Sequence, residues 1–350
     1  MDNKQSKIKS IFLSIFNVLK QFPVAVFLII LIPSLIYTGQ YLTKARRPLY
    51  DNYYFFGERV PIEYPADFKI KEIKPLFGVH DLSYVTNYQG GTCYENYYVL
   101  CSNNFDAILI YDMETQKVAH AITTNQRNTD YHCNTIFFGT FFYDSRDKFP
   151  LLYISMENAP VHSIIVFRLY EKAGEYVAER IQKITLEWEK DEPLYFPNAY
   201  YDYDTGEIYY AGYTKDSYRK SADNKLKYFV FDVPDFRKRE AVLKTSEAND
   251  SFELPSETAT QGGFISGGHL FQTFSFHHKS SEKPDDSPKM RIVDLHNHEI
   301  VYDNQDLGLI NGVYDEFENI AISRSGRMYA HGNIGLKIYE FIYTTESQNG

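Results

Sequence analysis

Cysteine is scarce in this chain, with three residues among 350. Cys93, Cys101 and Cys133 are an odd number without CxxC spacing, so neither a disulfide framework nor a zinc site is predicted. A bridge between Cys93 and Cys101 within one hairpin is the alternative to three small buried core residues. Cysteine chemistry therefore does not organise this sequence.

Short catalytic and phosphate-binding signatures are also missing. The sequence has no GxSxG, HExxH or P-loop motif and no GxGxxG after a strand. Basic residues do not cluster beyond the N-terminal segment and the formal net charge is -10, so no nucleic-acid partner is predicted, because phosphate binding needs a basic patch. Exposed hairpin histidines are usually solvated, so no metal site is predicted at His277, His278, His296 and His298.

Tyrosine and phenylalanine are abundant instead, at 31 and 26 residues. Flat rings favour strands because they pack well on a pleated, half-buried surface. Residues 88–122 contain four strand patterns separated by turns, and weaker copies follow in 130–184, 196–243, 260–303 and 317–343. Three copies share an apolar–Asp–turn–strand element, written IYDMETQKVAHAI, VFDVPDFRKREAVL and IVDLHNHEIVYD.

Repeated four-stranded units of about 50 to 60 residues are typical of a β-propeller, because one small sheet cannot bury both of its faces alone. We therefore predict an all-β propeller with five blades over residues 80–350. Six or seven blades are alternatives, as is a β-sandwich with long insertions.

The fourth unit carries a family resemblance. TQGG at 260–263, HLFQTFSF at 269–276 and MRIVDLHNHEIVYD at 290–303 resemble a blade of the bacterial β-propellers that include glutaminyl-cyclotransferase-like proteins. The resemblance implies a five-bladed propeller. In the rest of the chain only the repeated pattern of strands and turns is similar. Where that family has Glu-Ser-Thr-Gly after its second strand, this chain has Gln-Thr-Phe-Ser at 272–275, so that carboxylate is absent. A shared blade does not transfer a function.

The N-terminal segment predicts a membrane anchor. Residues 21–43 contain no charge and are apolar enough over 22–36 to cross a bilayer as a helix. The sequence YTGQ at 37–40 is a poor cleavage site, so the anchor is expected to stay uncleaved. Lysines before the span favour a cytoplasmic N-terminus, which places the propeller in the periplasm or outside the cell. Residues 1–20 are expected to form an amphipathic cytoplasmic segment and residues 44–79 a linker.

Propellers generally bind at the mouth of the central channel, where the innermost strands converge. The polar residues that begin those strands are therefore the candidate ligand-binding residues: Gln89, His132, Asn134, Asn198, Gln261, Glu316, Glu318 and Asn319. Their oxygens suit a cation such as calcium or a small polar molecule. The alternative is that the amides hydrogen-bond neighbouring blades and close the ring.

The missing catalytic motifs favour a non-enzymatic module that binds a ligand or a partner protein at the channel mouth. The alternative is a cyclotransferase-like or hydrolase-like enzyme with Glu316 or Glu318 as general base, which requires a carboxyl group of raised pKa. A third hypothesis is a structural subunit that contacts an envelope protein through its Tyr-rich linker, residues 50–64. The expected partners are thus the membrane, through residues 21–43, and either an envelope protein or a small polar ligand.

Overall fold

The computed structural model describes residues 68–78, 88–103, 107–124, 132–156, 162–217, 221–257, 259–275, 287–304, 306–310, 312–323 and 325–344, and the backbone of 47–48. These residues fall into two compact units. The larger unit takes its residues from Pro48–Phe142 and Asp147–Gly350, and the smaller one contributes only Arg47 and Tyr143–Arg146 to the described part. The fold below is that of the larger unit.

Strands make up most of the described chain. In order they are β1 (Arg47–Pro48), β2 (Lys69–Gly78), β3 (Tyr88–Tyr94), β4 (Tyr97–Ser102), β5 (Ala107–Asp112), β6 (Lys117–Thr123), β7 (Cys133–Phe138), β8 (Phe141–Phe142), β9 (Leu152–Met156), β10 (Ser163–Lys172), β11 (Glu175–Glu187), β12 (Tyr195–Asp202), β13 (Glu207–Tyr213), β14 (Lys225–Asp232), β15 (Glu240–Lys244), β16 (Asp250–Pro255), β17 (Thr260–Ser266), β18 (His269–Phe274), β19 (Lys289–Asp294), β20 (Glu299–Asn304), β21 (Phe317–Ile322), β22 (Met328–Gly332) and β23 (Lys337–Thr344). Two described 3-10 helices cover Thr245–Glu247 and Leu307–Leu309.

All of these strands except β1 and β8 belong to five sheets of four or five strands. From the inner strand outward, the sheets are β3–β4–β5–β6, β7–β9–β10–β11–β15, β12–β13–β14–β16, β17–β18–β19–β20 and β21–β22–β23–β2. The inner strands contact one another in the cyclic order β3, β7, β12, β17, β21 and back to β3. The prediction of an all-β, five-bladed propeller is therefore confirmed.

The fifth blade is completed by the start of the propeller chain. Strand β2 pairs antiparallel with β23, from Lys69 opposite Thr344 to Gly78 opposite Lys337. Residues 69–78, which the sequence assigned to the linker, thus form the outermost strand of the last blade. The ring is closed by hydrogen bonds between two distant parts of the chain.

The third unit departs from the expected repeat. Residues 240–244, predicted as the last strand of the VFDVPDFRKREAVL element, instead pair in parallel with β11 of the second blade. The fourth strand of the third blade is β16, which pairs antiparallel with β14. The sequence assignment was wrong here because an alternating strand carries no information about which sheet edge it joins.

The Asp turn predicted in the first and fourth units has a clear physical basis. Asp112 Oδ1 accepts hydrogen bonds from the backbone N–H groups of Glu114 and Thr115 at 2.9 and 3.3 Å. Asp294 Oδ1 does the same for His296 and Asn297 at 2.8 and 3.0 Å. Each carboxylate therefore fixes a tight turn that directs the chain into the outermost strand.

The cysteine prediction requires correction. Cys101 on β4 and Cys133 on β7 form a disulfide, which joins the first blade to the second, and Cys93 is a buried free thiol. The alternative bridge between Cys93 and Cys101 is therefore wrong. Sequence spacing could not reveal the pair, because it depends on two strands of different blades.

The predicted anchor at residues 21–43 and the amphipathic segment at 1–20 lie outside the described residues. Among the residues that are described, no helix is long and apolar enough to cross a membrane.

Candidate functional site at the channel mouth

Each inner strand has a β-bulge near its start. The register slips between Tyr88 and Gly91 in β3, and at the corresponding place in the other four inner strands: between Cys133 and Ile136, Tyr195 and Asn198, Thr260 and Gly263, and Phe317 and Asn319. A bulge turns side chains away from the regular alternation of a strand. The bulges lie beside the polar residues that begin these strands, which include Gln89, Asn134, Asn198, Gln261 and Glu318.

Two carboxyl groups of the fifth blade have partners among these polar residues. Glu316 accepts hydrogen bonds from Gln261 Nε2 at 3.0 Å and from Asn333 Nδ2 at 3.4 Å. Glu318 Oε1 accepts a hydrogen bond from Gln89 Nε2 at 3.3 Å. The structure thus brings together four of the predicted residues, from the first, fourth and fifth blades.

The Glu318 carboxyl group is fully buried and lacks a neutralising neighbour. Burial raises the pKa of Glu318 well above its usual range, and the carboxyl groups of Glu316 and Asp315 raise it further. Hydrogen bonds from Asn333 and Gln89 lower this pKa, but by less. No positive charge is among these influences, so Glu318 is poised either to hold a proton or to receive a cation.

Four oxygens of the predicted residues have no hydrogen-bond partner in the described structure. They are Glu318 Oε2, Gln89 Oε1, Asn198 Oδ1 and Asn319 Oδ1, all on side chains that are at most 5% exposed. Buried polar atoms are normally hydrogen-bonded, so these unpartnered oxygens call for an explanation. One carboxylate oxygen and three amide oxygens are ligands of the kind that hard cations prefer.

The amide side chains also join neighbouring blades, as the alternative hypothesis expected. Asn198 Nδ2 donates to the carbonyl oxygen of Thr260 at 3.4 Å, which links the third blade to the fourth. A Cβ on Gly90 would lie 2.9 Å from the carbonyl oxygen of Asn134, so the first and second blades are also in close contact. Amide nitrogens therefore join three pairs of neighbouring blades, through Gln89, Asn198 and Gln261.

Two histidines at this end of the channel are neutral at physiological pH. His132 directly precedes β7, and burial lowers its pKa to about 4. His331, on β22, is buried with Nε2 at 3.2 Å from the carbonyl oxygen of Tyr88, and burial lowers its pKa to about 4 as well. Since a carbonyl only accepts, His331 carries its proton on Nε2 and leaves Nδ1 as an acceptor.

The opposite end of the inner strands is aromatic. Phe137, Tyr201, Tyr203 and Phe264 form a chain of ring contacts across the second, third and fourth blades, with centroids 5.0 to 6.0 Å apart. Polar groups are concentrated where the inner strands begin, and rings fill the space where they end.

Sequence reasoning missed Asp315, His331 and Asn333. The last two lie on or after β22, the second strand of the blade, whereas the search considered only starts of inner strands. Asp315 lies next to the predicted Glu316 but was not considered. A useful signal was the spacing of Gly332 and Gly335, which leaves room for a side chain close to the backbone.

A histidine metal cluster finds no support in the described residues, which contain no group of three or more His, Cys, Asp or Glu side chains able to hold a metal. His298 stacks on Phe252 with a centroid distance of 4.1 Å and its Nε2 lies 3.1 Å from Asp250 Oδ2. His277 and His278 lie outside the described residues.

Fold and site together define a class: a five-bladed β-propeller with a polar, carboxyl-containing channel mouth. No protein-family model matches the chain, and no curated protein sequence matches it. Among solved structures it is similar to glutaminyl cyclase from Myxococcus xanthus, at 11% identity and a TM-score of 0.44, over 79% of this chain and 96% of that one. It is also similar to a luciferin-regenerating enzyme, at 11% identity and a TM-score of 0.37, over 77% of this chain and 75% of that one. At these TM-scores the fold assignment is based on the five sheets, and no activity is transferred.

Proposed function

We propose that this chain is a membrane-anchored binding propeller that takes a small, positively charged ligand at its channel mouth. The observation that carries the proposal is the Glu318 carboxyl group, buried to 1% exposure with Oε2 unpartnered and no cation among its neighbours. A buried carboxylate is stable only when it is paired, protonated or bound to a cation. A cationic ligand supplies the positive charge that the described neighbours of Glu318 do not provide.

A divalent metal ion such as calcium fits the chemistry of the available ligands. Glu318 Oε2 contributes charge, and Gln89, Asn198 and Asn319 contribute neutral amide oxygens. Calcium accepts carboxylate and amide oxygens in flexible geometry, whereas magnesium requires a near-ideal octahedron and keeps several waters. Asn333 supports the site because it donates to Glu316, whose carboxyl group lies near that of Glu318.

Calcium binding to the full-length protein in detergent micelles tests the proposal. Isothermal titration is expected to give a dissociation constant on the order of 0.1–1 mM, as in extracellular calcium modules. Glu318→Gln should abolish the binding heat and the calcium-induced rise in melting temperature. Glu299→Gln is the matched control, because Glu299 lies exposed on the outer strand β20 of the fourth blade. Equal calcium binding by wild type and Glu318→Gln would exclude the proposed site.

The disulfide supports the proposed location outside the cytoplasm. Cys101 and Cys133 are paired in the structure, and such bonds persist in oxidising compartments. We propose that residues 21–43 anchor the chain in the membrane, with the propeller on the periplasmic or extracellular side. Membranes from cells expressing the full chain should retain it through carbonate washing, and external protease should digest the propeller without permeabilisation. Release by carbonate would contradict the anchor.

The second candidate function is an enzyme that uses a channel carboxyl group in proton transfer. The raised pKa of Glu318 favours it, because a general acid or base works best with a pKa near the working pH. A panel of pyroglutamyl, lactone and phosphate ester substrates would test it. Turnover that Glu318→Gln abolishes and Glu299→Gln preserves would establish the enzyme over the simple binding module.

A further inference from the structure

Asp315 lies directly before the carboxyl groups of the site but points to a different set of partners. Its Oδ1 accepts hydrogen bonds from the backbone N–H groups of Glu316 and Ile334, both at 2.9 Å. Its Oδ2 accepts from Gly335 N at 3.1 Å and from the Tyr339 hydroxyl at 2.7 Å. With only 1% of the residue exposed, Asp315 is fully committed to holding the β22–β23 turn against the start of β21.

Two glycines make this arrangement possible. A Cβ on Gly332 would collide with the Asp315 carboxyl group, and one on Gly335 would lie 2.6 Å from Asp315 Oδ2. Any other residue at either position must push the carboxylate away, because real Cβ atoms do not approach so closely. The turn sequence Gly-Asn-Ile-Gly at 332–335 is therefore matched to Asp315.

The turn carries Asn333 into the site. Asn333 N donates to the carbonyl oxygen of Glu316 at 2.9 Å, and Asn333 Nδ2 donates to Glu316 Oε2 at 3.4 Å. Asn333 thus orients the Glu316 side chain, whose other oxygen accepts from Gln261. Asp315 fixes the turn, the turn fixes Asn333, and Asn333 fixes Glu316.

We infer that Asp315 is a positioning residue of the channel-mouth site, which acts on ligand affinity through Asn333 and Glu316 without touching the ligand. The inference rests on the proposed function, because it needs a ligand at Glu318, beside the Glu316 carboxyl group. It assigns the β22–β23 turn of the fifth blade to the binding site. The first and fourth blades contribute Gln89 and Gln261 from their inner strands.

A double-mutant cycle on calcium binding tests this inference with the full-length protein in detergent. Asp315→Ala is expected to weaken calcium affinity about tenfold, as loss of an outer hydrogen-bond partner commonly does at metal sites. Asp315→Asn should restore most of the affinity, because its amide oxygen can accept from the turn while its amide nitrogen donates to Tyr339. In an Asn333→Ala background, Asp315→Ala should have little further effect, because both changes remove the same support for Glu316.

A merely structural role predicts a different pattern. If Asp315→Ala weakens calcium binding equally with and without Asn333, Asp315 does not act through Asn333 and the inference is wrong. Hydrogen exchange of residues 331–337 gives a readout that needs no ligand: Asp315→Ala should speed exchange at Ile334 and Gly335, and Asp315→Asn should not. If wild type binds no calcium, the proposed function fails. If Asp315→Ala leaves hydrogen exchange at Ile334 and Gly335 unchanged, Asp315 does not hold the β22–β23 turn, whatever the result for calcium.

Discussion

Glu257 and Glu318 are equally buried, each 1% exposed, yet the protein treats their charges in opposite ways. Glu257 follows β16 in the third blade and receives Arg291 at 3.1 Å and Lys289 at 3.3 Å from β19 in the fourth. Arg291 also donates to the carbonyl oxygen of Pro255 at 2.7 Å and lies over the Phe274 ring. Glu318 has an amide donor and two carboxyl neighbours.

The difference separates a carboxylate that the fold itself neutralises from one that it leaves without a cation. Glu257 is neutralised by groups of the fold itself, so it joins two blades and has no charge left for a ligand. Glu318 is left without a cation, which costs stability that the fold must supply elsewhere. Burial alone does not mark a site; burial without a built-in partner does.

The largest loss of stability is expected from removing Arg291, which neutralises Glu257. Arg291→Met removes the ion pair of Arg291 with the buried Glu257 and also its contact with Asp303 at 3.2 Å. Removing one partner of a buried pair typically costs about 3–5 kcal/mol. Urea unfolding at pH 7 should show this loss as a lower midpoint. Adding Glu257→Gln to Arg291→Met should recover part of the stability, since the uncompensated charge is then gone. A double variant no more stable than the single one would show that the charge pairing is not the cause.

Supplying a cation to Glu318 should make its surroundings resemble those of Glu257. Gln89→Lys places an ammonium group where Gln89 Nε2 now lies 3.3 Å from Glu318 Oε1. A hydrogen bond between charged groups contributes about 1.5–3 kcal/mol, so the melting temperature at pH 8 should rise while calcium binding disappears. Gln89→Met is the control of similar length without charge and should not stabilise. Undiminished calcium binding by Gln89→Lys would place the ligand elsewhere.

The pH dependence of stability should reveal the charge on Glu318. Because the folded protein raises its pKa, the stability that this group contributes is fully present below the ordinary glutamate pKa of about 4.3 and is lost as pH rises through the raised value. Glu318→Gln should therefore melt higher than wild type at pH 8, with the difference shrinking towards pH 4. A constant difference across this range would mean that Glu318 does not titrate in the folded protein.

The smallest effect is expected at an exposed ion pair. Arg327 donates to Glu340 through Nε and NH2 at 2.6 and 2.8 Å, but half of its side chain is exposed. Such pairs usually contribute about 0–1 kcal/mol. Arg327→Met should thus change the urea midpoint far less than Arg291→Met, although both remove an arginine that bonds a glutamate. Equal losses would show that burial does not set the energetic difference.

The repeat rhythm made the blades predictable, since each blade follows from local alternation and from Asp turns such as that of Asp112. The convergence of Gln89, Gln261 and the fifth-blade carboxyl groups could be expected because they stand at strand starts, while their role in binding stays a prediction. The sequence did not predict the strands that pair with β2 and β15, the disulfide, or the hydrogen bonds of Asp315 to the β22–β23 turn. Each of these depends on contacts between residues far apart in sequence, which no local pattern encodes. The bulges beside Gln89 and Glu318 are likewise visible only in the pairing of strands.

The pairing of β2 with β23 has a consequence for biosynthesis. A ribosome makes residues 69–78 early, but their partners at 337–344 emerge only when nearly all of the propeller has been synthesised. Until then β2 is an unpaired strand and the first and fifth blades are not joined, so the nascent chain presents open edges that invite wrong pairing. Because Gln89 of the first blade meets Glu318 of the fifth, the hydrogen bond between these two side chains also forms late, when the first and fifth blades come together. A partly synthesised propeller therefore has neither the β2–β23 pairing nor the contact between Gln89 and Glu318.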